Sequence, residues 1–192
     1  MARFNVMRHD HVAVVSMDDG ENRFNPDFLT EFLSVLDQVE YSDASVMVVT
    51  SGHEKIWSNG IDLDWLAPEV QAGRVEVLKS FLYQMNDVFR RLLLFPMPTI
   101  AAINGHAFAG GAITSCCYDF RFMRSDRGYF CFPEVDIHIP FLPGMIAICR
   151  KAIPAALFEE LYYTGKRAVA EELQRHHVIR EAAPTEALME EV

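Results

Sequence analysis

Cysteine, positive charge and long apolar runs are all scarce in this 192-residue chain. Its four cysteines, Cys116, Cys117, Cys131 and Cys149, form no C-x-x-C pair, and a bridge between adjacent Cys116 and Cys117 would be strained. They read as reduced, small, buried side chains of an intracellular protein. Lys and Arg number 17 against 27 Asp and Glu, for a formal net charge of −10. Such a balance argues against a general nucleic-acid surface, although one local basic patch can still hold a phosphate. The longest apolar candidate, residues 91–107, is broken by Pro96 and Pro98, so no membrane span is expected. Residues 1–10 carry Arg3, Arg8 and Asp10 with no apolar core behind them, so no secretory signal is expected either. N-x-Ser/Thr, G-x-G-x-x-G, the Walker sequence and G-x-S-x-G are all missing. Their absence removes the simplest support for glycosylation, nucleotide binding and serine acyl transfer. His53-Glu54 lacks the spacing of a zinc-binding H-E-x-x-H helix, His9 and His11 fall in a turn, and no metal site is expected.

What the chain has is 51% hydrophobic and 23% charged residues, a composition that folds. A chain of this size buries roughly 70% of its unfolded surface, and residues 1–192 are expected to form a single domain. Phe4 and Val6 alternate with polar neighbours and lead through a turn at 8–11 into a second strand over 12–17. A polar loop over 18–25 precedes a helix whose cap is Asn25 and whose first residue is Pro26. The run at 45–50 reads as a strand buried on both faces, and 75–94 as a helix stopped by Pro96. Short strands are expected at 99–103, 120–122, 129–132 and 178–180, with a small apolar helix within 107–117. Further helices are expected at 143–151, 154–162, 168–176 and from 185. Strands separated by helices make this an α/β fold.

Three segments carry the chemistry. Ile56-Trp57-Ser58-Asn59-Gly60-Ile61-Asp62-Leu63 and Asn104-Gly105-His106-Ala107-Phe108-Ala109-Gly110-Gly111 are glycine-containing turns, each following a buried strand. Glycine lets backbone approach closely, which serves either tight helix–strand packing or two N–H groups aimed at one oxygen. The third segment, Pro133-Glu134-Val135-Asp136, sets carboxylates among apolar residues. Turned inward, such a carboxylate has a raised pKa suited to moving a carbon-bound proton; turned outward, it is ordinary surface charge.

In this order, Lys55-Ile56-Trp57-Ser58-Asn59-Gly60-Ile61-Asp62, Pro98 to Gly111 and Pro133 to Asp136 resemble the crotonase, or enoyl-CoA hydratase/isomerase, superfamily. Tyr163-Thr164-Gly165-Lys166-Arg167 matches a later segment of the same family. The resemblance implies a spiral of repeated ββα units. It implies an acyl-CoA thioester as substrate, with coenzyme A as part of that substrate and no separate cofactor. The N–H groups of Ile61 and Gly110 would hold the thioester oxygen, and Glu134 would be the acid/base. Substrate contacts are expected along Lys55, Trp57, Ser58, Asn59, Gly60, Asp62, Leu63, His106, Phe108, Gly111 and His138. Asp62 is equally a helix cap, Trp57 and Trp65 equally core, and Arg23 and Lys55 candidates for phosphate contacts.

Two departures bear on the reaction. Hydratases of the family carry a second glutamate where this chain has Ile113, so the resemblance leans to the Δ3,Δ2-enoyl-CoA isomerases. Hydration and non-catalytic acyl-CoA binding are the alternatives. His138 stands where the family commonly has glycine, and its bulk is expected to narrow the pocket or bond within the loop, with an auxiliary acid/base role as the alternative. The family resemblance also implies a homotrimer or a dimer of trimers. The C-terminal trimerisation and lid helices are expected to be missing from this chain. The cytoplasm is the expected compartment, or the peroxisome in a eukaryotic source.

Overall fold

The computed structural model describes residues 2–192. The hairpin forms as its alternation predicts: β1 (Phe4–His9) runs antiparallel to β2 (Val12–Met17), pairing Phe4 with Met17 and Val6 with Val15. Within the expected polar loop lies β3 (Arg23–Phe24), a two-residue strand too short for any periodicity to reveal. The next element, α1 (Pro26–Glu40), starts where Asn25 caps it, the Asn25 side chain accepting from the Phe28 N–H at 3.0 Å. A cap of this kind is worth about 1 kcal/mol.

The buried run forms β4 (Val46–Ser51), followed by β5 (Ile56–Ser58), β6 (Gly60–Ile61), α2 (Leu63–Gln71) and α3 (Val75–Leu93). On α3, Phe81, Met85, Val88, Phe89 and Leu92 recur at helical spacing and are buried. α2 buries no residue fully and is held by its Asp62 cap and by Trp65, whose ring sits 4.8 Å from that of Phe81. Then come β7 (Thr99–Ile103), β8 (His106–Phe108), α4 (Gly110–Ser115), β9 (Phe120–Arg124) and β10 (Phe130–Cys131). A single 3-10 turn, Pro133–Val135, leads to α5 (Pro143–Ala152), α6 (Ala155–Thr164) and α7 (Ala170–Arg175). The chain closes with β11 (Glu181–Ala183) and α8 (Thr185–Glu191). The strand expected at 178–180 is displaced to β11. Val178 and Ile179 are buried in the turn leaving α7, and ladder pairing with β9 begins only at Glu181.

The larger sheet has the order β1-β2-β4-β7-β9-β11, parallel except for the first pair. A smaller parallel sheet, β10-β8-β5, and the pair β3-β6 complete the strands. The chain repeatedly lays one strand in the large sheet, one in the small sheet, and then a helix: β4-β5-α2, β7-β8-α4, β9-β10-α5. This is the expected α/β spiral of repeated ββα units. One core runs from Phe4 to Ile179, and Val14, Val48, Ile100 and Ala102 form a smaller apolar cluster. All four cysteines are buried free thiols.

The contact that sets the spacing of the small sheet and α4 lies at Gly111. A Cβ added there would meet the Ser58 Cβ at 2.8 Å, with the Ser58 backbone nearer still. Gly111→Ala is expected to lower the unfolding free energy by about 1–3 kcal/mol, outweighing a helix-propensity gain of about 1 kcal/mol. The readout is a lower urea midpoint at unchanged slope; an unaltered midpoint would mean that β5 yields and that this contact fixes nothing.

Candidate active site

Strand β6 pairs with β3, registering Phe24 opposite Ile61, and the Asp62 N–H donates to the Phe24 carbonyl at 2.9 Å. Asp62 then caps α2, its carboxylate accepting from the Asp64 and Trp65 N–H groups at 3.2 and 3.3 Å. These bonds fix the first loop. Gly60 holds φ at 72°, and an added Cβ would strike the Gly110 backbone, with Gly110 Cα at 2.9 Å. The second loop is pinned from its other side, where the Ala109 N–H donates to the Cys131 carbonyl at 3.0 Å. Gly110 is the first residue of α4, a position whose N–H has no acceptor within the helix.

The third contributor arrives through an aromatic cluster. Phe132 packs edge-on against Phe130, Phe141 and Phe158, with ring centroids 5.2, 5.3 and 6.2 Å away. That anchor presents the following Pro133–Val135 turn, so Glu134 is directed inward and is only 9% exposed. Its Oε2 atom is buried without a hydrogen-bond partner. Burial pushes the Glu134 pKa up from 4.5 to about 7.

Ile61, Gly110 and Glu134 line one cavity of about 570 Å³, walled by Leu82, Ile113, Phe141, Leu142 and Met145. Asn59, Leu63 and Phe108 line it as well. Arg23 and Asp64 also line it and are tied to each other at 2.9 Å, while Asn59 donates to Glu21 at 3.0 Å. A buried carboxylate with pKa near neutrality can take a proton from carbon, and peptide N–H groups on the same cavity can hold a developing oxyanion.

Several expected contacts fall elsewhere. Trp57 is 1% exposed and packs edge-on against Tyr118, so it is core. Buried Ser58 donates to the Asn22 carbonyl at 2.8 Å and accepts from the Gly60 N–H at 3.1 Å, and Gly60 and Gly111 are buried against backbone. These four shape the loops without lining the cavity. Asp62 acts as the cap and lines a different, polar hollow with Arg3 and Asp19. Lys55 and His106 line a separate cavity of about 480 Å³. His138, at φ 56°, is exposed and lines a further cavity of about 320 Å³ with Tyr162 and Tyr163, so it does not narrow the main one. Asp136 is exposed against Gly165 and adds no second acid. The walls supplied by α3 and α5 escaped sequence reasoning because no local motif marks them; only their helical apolar spacing was visible.

Among the described residues, no group of three or more His, Cys, Asp and Glu could hold a metal ion, and no helix is long and apolar enough to cross a membrane. The family described as enoyl-CoA hydratase/isomerase matches residues 7–192. Arabidopsis thaliana enoyl-CoA delta isomerase 3 is 34% identical over 178 residues, covering 92% of this chain and 74% of the relative. Arabidopsis thaliana enoyl-CoA delta isomerase 2, peroxisomal, is 37% identical over 182 residues, covering 92% of this chain and 75% of the relative. Among solved structures, an enoyl-CoA hydratase/isomerase family protein from Pseudomonas syringae aligns with TM-score 0.88 at 25% identity, over 98% of this chain and 80% of that one. Matched almost end to end, and sharing a third of its residues with named isomerases, the chain belongs to the enoyl-CoA hydratase/isomerase family.

Proposed function

We propose that the protein isomerises 3-enoyl-CoA thioesters to 2-enoyl-CoA thioesters. The observation that carries this reading is a single buried carboxylate, Glu134, with one unpartnered oxygen in a cavity lined by Ile113 and other apolar side chains. Ionised Glu134 removes a proton from C2, and the electron pair moves onto the thioester oxygen to give a dienolate. The N–H groups of Ile61 and Gly110 stabilise that oxyanion, each such donor being worth about 2.7–4 kcal/mol in the transition state. Protonated Glu134 then returns the proton to C4. The same residue serves as base and acid because its pKa lies near neutrality, between the extremes that either half-reaction would prefer. The names of the two Arabidopsis relatives support the same choice over hydration. Binding without catalysis loses its main argument, since His138 leaves the cavity open and Glu134 turns toward it. The assembly proposed with this activity is a homotrimer. The compartment proposed is the cytoplasm, or the peroxisome named for one Arabidopsis relative.

Glu134→Gln is expected to lower kcat for isomerisation by about 10²–10⁴-fold while leaving the fold intact. Incubating purified protein with a 3-enoyl-CoA and, separately, a 2-enoyl-CoA, and resolving the products chromatographically, checks both the residue and the reaction. Wild-type-like turnover by the variant, or hydrated product as the main outcome, would remove this reading.

The raised pKa of Glu134 also predicts opposite pH trends for activity and stability. The base must be ionised, so kcat/KM should rise to a plateau through a midpoint near pH 7. The native state holds this proton more tightly than the unfolded chain, so the Glu134 contribution to stability falls as pH rises from about 4.5 to about 7. The wild type should lose about 3 kcal/mol relative to Glu134→Gln between pH 4.5 and 8. Urea denaturation of both proteins across that range measures the difference, and parallel curves would show that burial does not perturb this carboxyl.

A further inference from the structure

The cavity of about 480 Å³ that takes up Lys55 and His106 shares no lining residue with the acyl cavity. It lies where the segment entering β5 meets the start of β8 and the turn between β9 and β10, with Ser125, Arg127 and Tyr129 on its wall. Many other cations of this acidic chain stand beside carboxylates, as in Arg3–Asp19, Arg91–Asp37 and Lys166–Glu172 at 2.9, 2.6 and 2.6 Å. Among the described residues, Lys55 and Arg127 have no carboxylate within ion-pair distance. Nor has Arg167, whose guanidinium sits 5.6 Å over the Phe108 ring beside His106. The one acid on the cavity wall is already engaged: Asp126 pairs with Arg124 and accepts from the Thr185 N–H and hydroxyl at 3.1 and 3.0 Å.

His106 is held in one orientation. Its Nδ1 accepts from the Tyr129 N–H at 3.2 Å, so the neutral ring carries its proton on Nε2. The ring stacks on Tyr129 with centroids 5.5 Å apart. Burial and the charges of Arg167 and Arg127 hold the His106 pKa below its ordinary value, which keeps the ring a neutral donor at physiological pH.

The geometry points to a second ligand site, separate from the acyl cavity, that takes a phosphate monoester through Lys55, Arg127, the His106 Nε2–H and the Ser125 hydroxyl. Lys55 and Arg127 bring two positive charges to a cavity whose one carboxylate is already paired with Arg124, and a tetrahedral dianion offsets them where a single carboxylate would leave charge over. The His106–Tyr129 stack supplies a flat wall for the organic part of the ligand.

The test uses inorganic phosphate as the probe and the His106 ring protons as the reporter, followed by NMR on the whole chain. Phosphate should shift these resonances saturably and raise the midpoint of His106 titration, because a bound dianion cancels the neighbouring guanidinium charge. Lys55→Gln combined with Arg127→Gln should weaken phosphate by about tenfold or more. Both side chains are exposed, so the double variant is expected to fold. Arg175→Gln, which removes an exposed cation from α7, should leave the affinity unchanged. A shift that never saturates, an unchanged affinity in the double variant, or an equal loss in the Arg175 variant would overturn the site. Saturating free coenzyme A should leave phosphate bound; its displacement would assign the pocket to the coenzyme's own phosphate and end the claim of a second ligand.

Discussion

Two loops that are about fifty residues apart in the chain meet here through backbone alone, where Gly60 stands against Gly110 and Gly111 against Ser58. No side chain could be inserted between them without moving a strand. Interiors are close-packed, so an inserted methylene forces its neighbours to shift, and backbone has no alternative rotamer by which to yield. That constraint explains why the glycines are where they are, and it joins two readings that the sequence leaves as alternatives. The glycines are there for close packing, and the packing is what brings the Ile61 and Gly110 peptides to one cavity. The rest of the spiral can be understood as scaffolding for the contact: β3 registers the first loop, and β10 pins the second through the Ala109–Cys131 hydrogen bond.

Glu134 lives on the opposite side of the ledger from most buried residues. Its desolvation lowers the stability of the native state at neutral pH, and a backbone hydrogen bond offsets this only in part, with Oε2 left without a partner. A donor placed there would stabilise the ionised carboxylate and drop its pKa, leaving an acid too strong to be reprotonated and a base too weak to abstract. The instability and the reactivity proposed for Glu134 therefore share one cause. The aromatic cluster around Phe132 holds the turn in place against that unfavourable burial, which a flexible loop would relieve by swinging the carboxylate into water.

Much of this is legible in the sequence alone. Asn25-Pro26, the apolar stripe of α3 and the double-sided burial of β4 are local signals, and each element formed where its residues indicated. The lining of the site was less legible, for a geometric reason. A motif is contiguous, whereas a cavity collects one or two residues from each of several strands and rejects their neighbours. Reading the motif as a block assigned Trp57 and Ser58 to a ligand, yet they sit inside while Asn59 and Ile61 face the cavity. At β8, His106 and Phe108 have ring centroids 5.2 Å apart and yet line different cavities. Leu82, Phe141 and Met145 come from elements fixed only by tertiary packing, and no short-range pattern ties them to the glycine loops.

The choice between isomerisation and hydration comes down to whether a water can be held in place. A bound water needs two to four polar partners to offset its immobilisation, and an apolar cavity without them stays dry. The apolar lining includes Ile113, Phe141, Leu142 and Met145. The polar side chains of the same cavity are spoken for, Arg23 by Asp64 and Glu21, and Asn59 by Glu21. A water beside the double bond would have Glu134 as its one free side-chain partner, and Glu134 cannot both activate that water and donate the balancing proton in a single step. A second carboxylate at position 113 would supply the missing partner. With isoleucine there, the proposed oxyanion donors and the lone acid would leave the substrate's proton only one carrier, and moving it from one carbon to another is the reaction we propose for such a site.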